Sequence, residues 1–437
     1  MTPVYPDYFS PQETLPRPQL LELQEARLMA TLEYNYQASP IFNSLCRKAG
    51  VKPADINSLG DFAEKIPLFD KDDIRAYRDR HNDPCGGLIR LDDPRLTTLL
   101  STSGTTGDPT PMPMRHRYSS DEAYVRTFWH MGGRPGDYLV MPVFTFRGGA
   151  ANGISCQKEA GLTPIYFNHD PAELPRIIEA IKRYRPTVFG LISAPLLLGL
   201  EKHLEKTGEN ARELFSCFKG FIHGGEQPSP RMKALTQAWG MTMYETCAAG
   251  DVVSATTCRA HDGFHVWEDL AYAECLDPVT DQPVADGQMG ELVVTNINDP
   301  LLAMVRFRTD DLVTVNREPC ACGRTHMRFH IHGRKSDQTV VCGKAILPRD
   351  IRLVVEEQRE TAAGLYQIIK TASEMDTLAV RVGYNPDKLG GSTTQLIGAL
   401  EEALRAALDV PVRVELTLDD ELLKLGPPHK IPRVTKQ

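Results

Sequence analysis

The stretch "STSGTTGDPT", residues 101–110, crowds five hydroxyl side chains and two glycines into its first seven positions. Before it stands "LTTLL", which reads as a strand. Beyond it "SSDEAYVRTFWHMG" reads as a helix, so the loop leads from a strand toward a helix. Glycines let a backbone approach a ligand closely, and hydroxyls with exposed amides can donate to phosphate oxygens. The Gly-x-x-x-x-Gly-Lys-Ser/Thr pattern of the nucleoside triphosphatases is absent. Taken alone, the stretch fits a polar surface loop as well as a phosphate cradle.

The surroundings narrow the choice. "DYLVMPVFTF", "LTPIYFN", "TVFGLISA" and "FKGFIHGG" read as short buried strands. Between them "GAANGISCQKEAG", "AELPRIIEAIKRYRP" and "PLLLGLEKHLEKTG" read as helices. This alternation predicts an α/β fold, a mainly parallel sheet covered by helices on both faces. Ligands of such sheets sit at the carboxyl ends of the strands, where glycine-rich loops collect. The last hundred residues read differently. "PRDIRLVVEEQ", "LYQIIKT", "TLAVRVGY", "TTQLIGALEEALRAAL" and "VPVRVELTL" give an αββαβ order that suits a small α+β domain. The interruption at "HGRKSDQTV" sets the expected boundary: a large domain over 1–333 and a small mobile one over 334–437.

Composition bounds the function. A chain of 437 residues is long enough for two or three domains. Its formal net charge of -8, without a long basic run, argues against nucleic acid as partner. No apolar run reaches the roughly 18 residues of a membrane span. The opening "MTPVYPDYFSPQETL" lacks a signal-peptide pattern, so a cytoplasmic protein is expected. Ten cysteines in so long a chain then read as thiols or metal ligands, and most, standing singly, as buried thiols.

Further motifs follow in order. The loop at 101–110 resembles the phosphate-binding motif of the adenylate-forming acyl-CoA synthetase and luciferase superfamily. "GELVVTNI" and "VRFRTDDLV" resemble its strand and Tyr-Arg-Thr-Gly-Asp segments, "HGRKSD" its interdomain hinge, and "HKIPRV" the segment that carries its lysine. "LLELQEARLMATLEYNYQASPIF", "LGDFAEKIPLFDKDDIR", "HGGEQPSP", "CRAHDGFHVWED" and "CACGRTHMRF" are similar to the phenylacetate–CoA ligase branch. The resemblance covers nearly the whole chain.

What the resemblance implies is two half-reactions. A carboxylate attacks the α-phosphate of ATP to give an acyl-adenylate and pyrophosphate, and a thiol, commonly CoA, displaces AMP. Mg2+ is implied for the first step. Ser101, Ser103, Gly104, Thr105, Thr106 and Gly107 are the expected phosphate donors, and Lys430 the catalytic lysine. Gly224, Gly225, Glu226 and Tyr244 match the adenine-binding segments, Asp311 the ribose acceptor and Arg334 a further nucleotide contact. Phe144, Phe146 and Arg147 fall where the aryl pocket is formed, and His223 could face the carboxylate. Each side chain also has an ordinary structural role open to it, from core packing to a surface ion pair.

Three positions depart from the family pattern. Ala248 stands where a glutamate usually holds Mg2+, with Glu245 or Asp251 as substitutes from a shifted loop. Ser336 fills a hinge position often taken by Asp or Lys. Asp108 replaces a common lysine, and is expected to point away from phosphate. One cysteine group stands apart: Cys258, His265, Cys320 and Cys322 offer a tetrahedral thiolate and imidazole set for a structural Zn2+, with His261 as the alternative fourth ligand. The expected partners are a carboxylic acid, aromatic by branch, with ATP and CoA, and a homodimer is left open. A non-CoA acceptor (amine, hydroxyl or carrier-protein thiol) and a nucleotide-binding homologue without ligase activity are the alternatives.

Overall fold

The structure, a computed structural model, describes residues 5–94, 96–102, 108–115, 120–143, 156–249, 253–298, 304–425 and 431–436. Two strands, β1 (Leu96–Ser101) and β2 (Pro111–Arg115), pair antiparallel with Ser101 opposite Pro111. The loop at 101–110 therefore closes a hairpin, and a second strand intervenes before the helix Ser120–His130. The main sheet has eleven strands. They are β3 (Tyr138–Val143), β4 (Thr163–Asn168), β5 (Val188–Ile192), β6 (Gly220–His223), β7 (Met243–Ala249), β8 (Val253–Thr257), β9 (Phe264–His265), β10 (Ala271–Leu276), β11 (Met289–Asn296), β12 (Phe307–Asn316) and β13 (Arg328–Arg334). Their order is β10-β11-β12-β13-β9-β8-β7-β6-β5-β3-β4.

The half from β4 to β7 is parallel, as the alternation of strands and helices predicts. Amphipathic helices cover it. Leu174–Tyr184 buries Leu174, Ile177, Ile178 and Ile181, and Ala194–Thr207 buries Leu196, Leu197, Leu200 and Leu204. From β7 onward every pairing in the sheet is antiparallel. That half is a finding of the structure. Consecutive strands there are neighbours joined without crossover helices, the connection that antiparallel pairing permits, except that the chain passes from β9 to β10 at the far edge of the sheet.

Arg334 ends β13, and among the described residues the later strands pair with one another. β14 (Thr339–Val341), β15 (Lys344–Ile346) and β17 (Glu374–Met375) form a small sheet. β16 (Tyr366–Lys370), β18 (Leu378–Tyr384), β19 (Val412–Leu418) and β20 (Val434–Lys436) form another, in the order β19-β18-β16-β20. The helix Thr393–Leu408 packs Leu396, Leu400 and Leu404 into this core, with Leu408 partly buried beside them: four leucines at a spacing of four residues, which puts them on one helical face. The strand Val434–Lys436, parallel to β16, was not expected from the sequence. Among the described residues no helix is long and apolar enough to cross a membrane.

Candidate functional site

The carboxyl ends of the parallel strands gather several expected residues. β6 runs into Gly224 and Gly225. A side chain at Gly224 would meet Leu191 and Thr246 at 2.9 Å, and Gly225 turns through φ +98°, so both positions require glycine. His223 is fully buried, with Nδ1 2.8 Å from the Ile192 carbonyl. Its Nε2 has no hydrogen-bond partner among the described residues. Burial pushes its pKa down and keeps the imidazole neutral.

Tyr244 lies beside β6 on β7, opposite Ile222. Its ring is only 7% exposed and packs between the imidazoles of His130 and His261, each 5.5 Å away. Strand alternation puts Ala248 on the face of Tyr244 and Glu245 on the other. Glu245 pairs there with Lys233 at 2.7 Å. Ala248 is exposed and sits opposite Ser254. Glu245 therefore does not replace the missing glutamate, and Asp251 lies outside the described residues.

β12 and β13 bring a second pair together. Their register sets Asp311 opposite Arg334, with Arg334 Nε 3.6 Å from Asp311 Oδ1. The preceding Asp310 turns through φ +70° and accepts the Ser336 amide at 3.0 Å, while its carbonyl accepts the Lys335 amide at 2.9 Å. The expected ribose acceptor, the expected nucleotide arginine and the hinge residues thus form one corner.

The ends of the 101–110 loop are fastened. The Thr102 amide donates to the Thr110 carbonyl, and the Thr110 amide to Thr102 Oγ1, both at 3.0 Å. Asp108 is held by Arg78 through a bidentate pair of 2.9 and 3.0 Å, as expected for a carboxylate turned away from phosphate. Of the expected donors Ser101 is half-buried at the end of β1. Ser103, Gly104, Thr105, Thr106 and Gly107 lie outside the described residues, as do Phe144, Phe146, Arg147 and Lys430.

Cys258, His265, Cys320 and Cys322 meet as the sequence reading chose them. All four are buried, and their ligand atoms lie within 4.8 Å of one another. Cys258 Sγ is 3.6 Å from Cys320 Sγ, and Cys322 Sγ is 3.5 Å from His265 Nε2. Zinc bonds of about 2.3 Å to sulfur and about 2.0 Å to nitrogen place tetrahedral ligand atoms about 3.8 Å and about 3.5 Å apart, respectively. These two separations are close to those of a tetrahedral zinc site. His265 Nδ1 faces the His326 carbonyl at 3.2 Å, which fixes the tautomer that leaves Nε2 free to ligate. His261 does not join the four.

Sequence reading missed the charges around this set. Arg324 is buried against Glu13 at 2.6 Å, with Nη1 3.6 Å from Cys322 Sγ and 3.0 Å from His130 Nδ1. Burial first, then the charge of Arg324, lowers the His130 pKa to about 3. The adjacent Cys-Gly-Arg run was the available signal: an arginine beside thiolates offsets their charge. Also missed were Arg352 and Arg433, which both reach Glu226.

Comparison with known proteins bears on this geometry. Residues 36–298 match the model of the AMP-binding enzyme family. The phenylacetate-coenzyme A ligase of Thermus thermophilus is 27% identical over 385 residues, 85% of this chain and 82% of that protein. That of Aromatoleum evansii is 27% identical over 409 residues, 92% and 90% of the two chains. Among solved structures, 2-hydroxyisobutyryl-CoA ligase in the postadenylation state with 2-HIB-AMP superimposes with a TM-score of 0.85 at 23% identity, covering 100% of this chain and 94% of that one. The same enzyme with 2-HIB-AMP and CoA in the thioesterification state gives 0.71 at 24%, with the same coverage. These structures share the fold.

Proposed function

The chain belongs to the AMP-binding enzyme family, and from that premise we propose that it is an AMP-forming acid–thiol ligase acting on an aromatic carboxylic acid. The observation that carries this reading is the shared corner of Asp311, Arg334 and the hinge, close in sequence to the family's own segment order. Two carboxylate oxygens on Asp311 suit a vicinal diol. Arg334 adds a cation beside it. Gly224, Gly225 and Tyr244 are the residues proposed to meet adenine.

The first half-reaction gathers negative charge at the α-phosphate. Ser101, Ser103, Gly104, Thr105, Thr106 and Gly107 supply amides and hydroxyls to the phosphates, and Lys430 supplies the ammonium that offsets charge in the transition state. Mg2+ adds charge neutralisation when bound. With Ala248 exposed and Glu245 paired with Lys233, Asp251 or the phosphates would hold it. His223 is the residue proposed to face the acid; its neutral imidazole donates from Nδ1 to the Ile192 carbonyl, which leaves Nε2 as an acceptor. Phe144, Phe146 and Arg147 are the residues proposed for the acyl pocket. CoA then takes the acyl group as its thioester, with release of AMP. Cys258, His265, Cys320 and Cys322 hold a structural zinc that ties two loops together beside Tyr244. The small domain, 334–437, moves about Arg334–Asp337 between the two steps.

Pyrophosphate release with a panel of aromatic acids, with and without CoA, tests the proposal. Acid-dependent release with thioester formation is expected. Adenylation with no CoA turnover points to another acceptor, and ATP binding without release to a homologue that has lost the chemistry. Lys430→Ala is expected to lower adenylation by at least about 100-fold, the scale for losing one charge-stabilising donor. Full adenylation in that variant refutes the role given to Lys430.

A further inference from the structure

Glu226 leaves the end of β6 at the Gly224–Gly225 turn, beside the nucleotide segment. Its side chain is 14% exposed, and both its oxygens are taken by arginines of the small domain. Arg433 donates from Nε to Oε2 at 2.9 Å and from Nη2 to Oε1 at 3.1 Å. Arg352 donates to Glu226 Oε2 and to the Gln227 carbonyl. Arg433 is itself fixed. Its Nη1 donates to the Gly364 carbonyl at 2.8 Å, its guanidinium lies 4.5 Å from the Tyr366 ring centre, and its carbonyl accepts the Ile368 amide at 2.7 Å. Burial works to raise the Glu226 pKa, but Arg352 and Arg433 outweigh it and hold the carboxyl at about 2.

Lys335 pairs with buried Glu291 at 3.0 Å and the Ser336 amide donates to Asp310, but both residues belong to the hinge itself and stay beside it as the small domain turns. Contacts away from the hinge are weaker or less specific. Lys202–Asp420 at 2.8 Å and Lys388–Glu205 at 3.6 Å are exposed pairs, screened by water. Leu198, Leu365, Leu422 and Ile431 add an apolar patch that sets no register. The bidentate pair sets one, because a planar guanidinium meets a carboxylate in few orientations. Arg433 lies three residues beyond Lys430, a length of chain that spans at most about 11 Å. Whatever fixes Arg433 on the strand end also limits where the lysine can reach.

We propose that Glu226 is a positioning residue for adenylation: a latch that seats the small domain through Arg433 and Arg352, brings Lys430 to the phosphates, and must release before the thiol step. The inference rests on the adenylation reading above. It also gives Glu226 a different task from contacting adenine.

Measuring the two half-reactions separately in the full-length Glu226→Gln protein tests it. ATP–pyrophosphate exchange with an acid the parent protein turns over is expected to fall at least tenfold in kcat, with KM for ATP little changed. Thioester formation from supplied acyl-adenylate and CoA is expected to stay at the parental rate or rise. Arg433→Met should behave alike, and the double variant should be no worse than either single one. An equal fall in both half-reactions overturns the latch, as does a fall confined to KM for ATP, the signature of a nucleotide contact. Tryptic cleavage at Arg334 or Lys335 gives a second readout, independent of activity. Glu226→Gln should speed it about tenfold, and unchanged cleavage overturns the latch as well. If the parent protein shows no exchange with any acid, the adenylation reading fails, while the cleavage result still decides whether Glu226 holds the domain.

Discussion

Replacing Cys258 by serine removes one corner of the Cys258–His265–Cys320–Cys322 set and tests whether a metal ties its two loops. Cys258 and Cys320 are 62 residues apart in the chain, with their sulfurs at 3.6 Å. A metal bridging them closes that loop in the unfolded chain as a covalent cross-link does. Loop-closure entropy for such a length is worth about 4 kcal/mol at 25 °C. Unfolding entropy near 2.1 cal/mol/K per residue, taken over a chain of this size, turns that into a fall in melting temperature of roughly 5 °C. The charge balance favours binding: three thiolates and a neutral imidazole around Zn2+ leave one negative charge, and Arg324 stands 3.6 Å from Cys322 Sγ to meet it. Elemental analysis should find about one zinc per chain in the parent protein and less than a tenth of that in Cys258→Ser. A thermal scan should show the fall of roughly 5 °C, and a strong chelator should impose the same fall on the parent protein but not on the variant. Parent protein purified in zinc-containing buffer without bound metal, and with a melting temperature indifferent to chelator, would refute the reasoning.

Two further outcomes follow from buried charge. Arg126 is buried and meets both oxygens of buried Asp269 at 2.7 Å, so Arg126→Met leaves an uncompensated carboxylate and is expected to cost about 3–5 kcal/mol in chemical unfolding. The Arg126→Met/Asp269→Leu double variant should regain most of that, and no recovery would show that the pair itself is not the cause. Asp419 is buried, its Oδ1 has no hydrogen-bond partner among the described residues, and burial raises its pKa to about 6. A raised pKa means that the folded protein binds this proton more tightly than the unfolded chain. The favourable contribution is therefore complete below about pH 3.8 and lost as pH rises through 6. Asp419→Asn should accordingly be more stable than the parent by about 1–3 kcal/mol at pH 7 and no different below about pH 4, and an advantage independent of pH would contradict the assignment.

Much was legible because it is local. Helices and strands of the parallel half carry their periodicity within a dozen residues, and the strands from Tyr138–Val143 to Gly220–His223 and the helices Leu174–Tyr184 and Ala194–Thr207 fall where they are read, while most of the helix read at "GAANGISCQKEAG" lies outside the described residues. The leucines of Thr393–Leu408 mark their buried face in the same way. Motif order placed Asp311 and Arg334 near a common function, and ligand chemistry joined the four metal candidates across the chain. By itself the sequence determined these elements, the residue types fit for the chemistry, and the departure at Ala248.

Only the tertiary structure decided which partners meet. The antiparallel half of the sheet depends on strand register, which alternation alone does not specify. Glu245 carries the right chemistry to replace a missing carboxylate, but strand alternation turns it to Lys233. Glu226 and Arg433 are 207 residues apart, and nothing near either one announces the other. A carboxylate becomes a nucleotide contact, a surface charge or a latch according to the groups that folding brings within 3 Å of it, and those groups come from distant parts of the chain.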